Sequence, residues 1–137
     1  MNKKPKIILS TVDVQRLETL LDALAPDSFP GMAELEEELE RAEVVEPHRM
    51  PSSVVTMNST VKFKVEPSGE EFRMTLVYPG NEDASGQKIS VLAPVGSALL
   101  GLSQGDEIQW PRPGGGMMRV RIIEVIYQPE RSGDFLA

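Results

Sequence analysis

The chain has 137 residues, with 40% hydrophobic and 26% charged side chains, a size and balance that suit a soluble globular protein with a core of its own. It contains no cysteine, which excludes disulfides, thiolate metal sites and thiol nucleophiles, and its formal net charge of -7 argues against non-specific nucleic-acid binding. Residues 1–46 hold 11 acids and 5 bases, whereas residues 47–137 hold 10 and 9, so the N-terminal third carries nearly all of the imbalance. Such an acidic element points to a partner surface that is basic or cation-bearing.

The N-terminus has a basic start, but Ile7 to Leu9 is too short an apolar run for a signal peptide, and no segment has the length of a membrane span. The reading is cytoplasmic. Ser10 reads as a helix cap, with Asp13 three residues on as the acidic half of a capping box. Val14, Leu17, Leu20, Leu21 and Leu24 then share one helical face until Pro26. Residues 26–31 are dense in turn formers. Met32, Leu35, Leu39 and Ala42 form a second, heptad-like seam among glutamates. These two stripes predict a short antiparallel helical hairpin, with coiled-coil packing, over residues 1–48. At about 13 to 15 residues per helix it is about 20 Å long.

The period then changes, and the boundary falls near Pro47–Ser53. Val54–Met57 is β-prone. Val61–Val65, Phe72–Tyr78, Lys88–Leu92, Ile108–Trp110 and Met117–Tyr127 read as strands, the last of them long and central in an antiparallel sheet. Pro94–Leu100 reads as a short helix, with Pro in its first turn and Gly101 beyond its end. Helices first and strands afterwards give an α+β chain, with its second domain over residues 52–137.

The segment Ile89 to Gly101, followed by Gly105-Asp106-Glu107-Ile108 and by Pro113-Gly114-Gly115, resembles the C-terminal domain of the bacterial Gre transcript-cleavage factors. Ala93 stands where that family often has Ser. The resemblance implies an FKBP-like fold, a sheet curved over one short helix. The short hairpin, the segment Met50 to Ser59 and Tyr127-Gln128-Pro129-Glu130 are similar to a shorter, anti-Gre-type branch of the family, the regulators of nucleoside diphosphate kinase. That branch is regarded as polymerase-binding.

From the resemblance follow a partner and its sites. The partner is RNA polymerase, met at the coiled-coil rim of its secondary channel through Ser90, Pro94 and Ser97. Gre factors use carboxylates at the hairpin tip to help hold a catalytic Mg²⁺, and the corresponding acids here are Asp22, Asp27 and Glu34. They are few and dispersed, and the hairpin is short, so the expectation is a monomeric, non-catalytic regulator that competes with Gre factors, without metal or cofactor. A shortened cleavage factor is the alternative. An FKBP-like prolyl isomerase is a further one, resting on fold alone. Gly114-Gly115-Gly116 lacks a following Lys-Ser/Thr and reads as a hairpin turn. His48 has no second imidazole to share a metal with.

Overall fold

The computed structural model describes residues 5–26, 28–29, 31–66, 68–83, 85–112 and 115–134. The chain is α+β. It opens with a three-residue strand, β1 (Ile8–Ser10), and passes directly into α1 (Thr11–Asp22). The Ser10 side chain accepts from the Asp13 N–H, so the predicted cap forms. Helix α2 (Met32–Arg41) follows, and β2 (Glu43–Val45) then pairs in parallel with β1. The helical hairpin is thus the crossover between two parallel strands, as a parallel pair requires. Within it Glu18 and Asp22 of α1 face Glu36 and Glu40 of α2 across one groove. Glu36, Glu37 and Glu40 are exposed. Glu38 is buried instead, and both of its carboxylate oxygens accept from the Arg41 guanidinium, which also donates to the Pro5 carbonyl.

The larger sheet comprises β3 (Thr60–Glu66), β4 (Glu70–Val77), β5 (Lys88–Ser90), β6 (Glu107–Pro111) and β7 (Met117–Tyr127), in the order β5-β4-β3-β7-β6. Strand β7 lies inside the sheet, as its length and mixed pattern predict. The sheet is mixed rather than wholly antiparallel, because β5 runs parallel to β4. Val54–Met57 is no strand of this sheet: Val54 makes a single bridge to Ser103, and the chain then turns, with Thr56 N–H donating to the Ser59 hydroxyl. The register of β7 on β3 shifts twice, near Thr60 and near Lys62, which bends the pair.

One sheet face is apolar. Val61, Phe63, Leu76, Ile108, Trp110, Val120 and Ile122 are buried there, and α3 (Pro94–Leu99) packs beside them. Ile7, Leu9, Leu17, Leu21, Leu35 and Leu39 from the N-terminal part belong to the same buried cluster. The stripes that predict a hairpin therefore contribute to a core shared with the sheet. The other sheet face carries Lys62, Lys64, Glu71, Arg119 and Glu107, with ion pairs Lys62–Glu71 and Arg119–Glu107 at 3.6 and 3.5 Å. Such surface pairs add little stability.

Two contacts set the tolerances of this packing. A Cβ on Gly96 would lie 2.0 Å from the Ser90 carbonyl oxygen, so α3 crosses the end of β5 too closely for any side chain. Gly96→Ala is expected to lower stability by about 3 kcal/mol or more, because the obstacle is backbone and cannot give way. Gln128 is fully buried and its Nε2 donates to the Pro51 and Val54 carbonyls, both at 2.8 Å. Gln128→Ala leaves those acceptors unsatisfied, for an expected loss of about 2–4 kcal/mol. Denaturant unfolding of the two variants measures both effects.

Candidate functional site

The corner between β5 and α3 is built by its own hydrogen bonds. The Ser90 hydroxyl accepts from the Leu92 N–H at 3.0 Å, and the Ala93 N–H donates to the Ser90 carbonyl at 3.0 Å. Ala93 is extended, at φ -70° and ψ 146°, as a residue before proline must be. Pro94 then occupies the first helical position, where its missing N–H leaves no bond unmade. Ser97 is buried, and its hydroxyl donates to the Val91 carbonyl. Of the three residues assigned to this site, Ser90 and Pro94 are partly exposed and Ser97 ties the corner from within.

The partly exposed apolar residues of the corner are Leu92, Ala93, Pro94 and Val95, of which Leu92 and Val95 also pack against the core. The surface they form is rigidly supported and carries no titratable side chain. Such a surface suits docking. Among the described residues no group of three or more His, Cys, Asp or Glu side chains could hold a metal ion.

The hairpin acids are dispersed. Asp22 ends α1 and is exposed, while Glu34 lies half-buried in the first turn of α2. Asp27 lies outside the described residues. Gly31, at φ +88°, caps α2, and a Cβ there would sit 3.5 Å from Nε1 of the fully buried Trp110 and 3.9 Å from a Glu34 oxygen. The start of α2 therefore rests on β6, a pose the sequence leaves open.

Asp13 has a larger part than capping. It is 2% exposed, and its carboxylate accepts from the Met57 N–H at 3.1 Å and from the Tyr78 hydroxyl at 3.4 Å. Burial pushes its pKa up to about 6, and the nearby Glu130 carboxylate adds to the rise. The two hydrogen bonds and Arg16 oppose it. Burial likewise raises the Tyr78 phenol well above its ordinary value. The sequence does hold a signal for this: Asp13, Leu17 and Leu21 are four apart, so the acid stands on the buried stripe.

Comparison with known proteins assigns both parts of the chain. Residues 5–45 match the family model described as Rnk N-terminus, and residues 50–127 match that of transcription elongation factor GreA/GreB, C-term. The regulator of nucleoside diphosphate kinase from Escherichia coli K12 is 45% identical over 133 residues, covering 97% of this chain and 98% of that protein. The transcription elongation factor GreA of Beijerinckia indica is 31% identical over 97 residues, covering 71% of this chain and 61% of that factor. A solved structure titled prokaryotic transcription elongation factor GreA/GreB from Nitrosomonas europaea is 66% identical, with a TM-score of 0.71, covering 90% of this chain and all of that one. With an Rnk-type N-terminal part ahead of a GreA/GreB-type C-terminal part, the chain belongs to the Gre-factor-like family of regulators of nucleoside diphosphate kinase.

Proposed function

We propose that the protein is a non-catalytic transcription regulator that binds RNA polymerase at the secondary-channel entrance, through the corner at Ser90 and Pro94, and competes there with Gre factors. The observation that carries this reading is the corner itself: a small apolar surface from Leu92 to Val95, partly exposed and held rigid by Gly96 and the buried Ser97 hydroxyl. A preorganised surface loses little freedom on binding, so a small contact area can support affinity. Membership of a Gre-like family supplies the partner class. Changes in nucleoside diphosphate kinase level follow, on this reading, from altered elongation.

The acidic hairpin serves as an electrostatic guide toward a basic rim. Glu18, Asp22, Glu36 and Glu40 share one groove on its surface, and exposed charges of this kind act on association rate and salt dependence more than on final affinity. Cleavage chemistry needs acids gathered on a projecting tip. Here Asp22 and Glu34 lie on different helices, and the start of α2 rests on β6 beside Trp110.

Co-migration with core polymerase, followed by displacement with a Gre factor, tests the reading directly. Pro94→Glu places a charge on the apolar corner without removing a backbone hydrogen bond. It is expected to weaken polymerase binding at least tenfold, about 1.4 kcal/mol, with the thermal midpoint near wild type. Unchanged affinity in the folded variant removes the corner from the interface. Backtracked transcription complexes are expected to show no added RNA cleavage when the wild-type protein is supplied.

A further inference from the structure

The N-terminal hairpin is joined to the rest of the fold by a carboxylate. Asp13, in the first turn of α1, reaches the backbone of the 54–59 loop at Met57 and the Tyr78 hydroxyl just beyond β4. The residue before Met57, Thr56, donates its hydroxyl to Glu130 at the start of a short 3-10 turn, Glu130–Ser132. Two carboxylates thus converge on one loop, from a helix and from the C-terminal turn. Arg16, one turn along α1, and the Tyr78 phenol are the other titratable groups that face Asp13. With its 2% exposure, Asp13 cannot meet bulk water while the hairpin is docked.

We propose that Asp13 is a protonation-sensitive latch, which holds the hairpin more firmly on the 54–59 loop when neutral than when ionised. An ionised Asp13 in the docked state has lost most of its hydration and lies near the Glu130 charge. Opening the hairpin returns it to water and separates the two acids. The neutral acid has no such charge to rehydrate, so protonation favours docking.

The direction follows from linkage. The docked carboxyl titrates near 6 and an exposed one near 3.8. Docking is therefore strongest below about pH 4, weakens as pH rises from there to about 6, and is level above that. Between pH 5 and pH 8 the opening constant is expected to rise about tenfold. Near neutral pH a shift of a few tenths moves little, so the latch answers to acidification.

Native-state hydrogen exchange on the full chain, corrected for intrinsic exchange rates, reads this opening at the Met57 amide and the α1 amides. Carboxyl NMR of Asp13 in the same samples gives its titration midpoint. The expected result is a tenfold change in opening between pH 5 and pH 8, following that midpoint, and a flat profile in Asp13→Asn. Tyr78→Phe removes one hydrogen bond to the ionised form and is expected to open more readily above pH 6. A pH-independent opening in the wild type overturns the latch, as does a pH dependence that persists in Asp13→Asn. An Asp13 midpoint near 4 overturns it even if the Asn variant fails to fold. None of these outcomes bears on the Ser90–Pro94 corner, whose test is polymerase binding.

Discussion

A loop with almost no sheet of its own organises the molecule. Residues 51–59 form no strand, meeting β4 only where the Asn58 N–H and the Ser59 carbonyl pair with Leu76, so several of their other backbone groups take side-chain partners. Gln128 supplies donors to Pro51 and Val54, Arg131 to Ser52, Asp13 an acceptor to Met57, and Ser59 an acceptor to Thr56. The partners come from the hairpin, from beyond the end of β7 and from the loop itself. Asn58 takes φ +67°, a left-handed conformation that Asn tolerates better than most residues, and its N–H donates to the Leu76 carbonyl. The residue types in Met50 to Ser59 and in Gln128 to Arg131 answer to one another: Gln128 and Arg131 donate to the loop's carbonyls, and Thr56 donates to Glu130.

The corner between β5 and α3 depends on the same economy of space. Gly96 lets α3 sit against the Ser90 carbonyl, and Gly101, at φ +80°, lets the chain leave α3 directly under the N-terminal segment. A Cβ at Gly101 would meet the Ile7 Cβ at 2.8 Å, while the Ile8 N–H donates to the Gly101 carbonyl at 3.1 Å. The N-terminal segment therefore braces the far end of the helix whose near end forms the corner. Close packing of backbone on backbone leaves few alternative arrangements, and this keeps a small apolar surface in one shape.

Local patterns proved readable where the chain decides its structure locally. The Ser10 cap, the apolar stripes of α1 and α2, the start of the alternation in β3, and the Pro-led α3 all depend on neighbours within a few residues, whereas β4 passes from an exposed half to a buried one. Strands β1 and β2, at three residues each, are too short to show alternation, and they exist because they pair across 35 residues of sequence. The parallel direction of β5 depends on how residues 78–87 return, which no periodicity encodes. Val54–Met57 has strand-forming residue types, but its hydrogen bonds are divided between the 101–102 backbone, its own loop and the side chains of Asp13, Ser59 and Gln128, so no strand ladder forms. Of the candidate site, the corner was visible as a motif, whereas the inward turn of Ser97 depends on the Val91 carbonyl lying beneath it. Asp13 shows what sequence reading reaches and what it loses: its place on the buried stripe is legible, but its partners Met57 and Tyr78 are not.

The pose of the hairpin decides what its acids can do. Twelve residues of α1 at 1.5 Å each span about 18 Å. That length would count as reach only if the hairpin projected from the sheet. Instead, its leucines share the sheet's core, α1 begins against Met57 and Tyr78, and α2 begins against Trp110. Projection would expose that apolar seam to water, at roughly 25 cal/mol for each Å² uncovered. A hairpin held at both ends offers its exposed face, and that face is acidic. On the proposed reading it shapes the field around the docking surface and does not carry a carboxylate to a distant metal. On the proposed reading, the difference between a cleavage factor and a competitor lies in where the apolar stripes of the hairpin are buried: against each other along a free-standing probe, or, as here, in a core shared with the sheet.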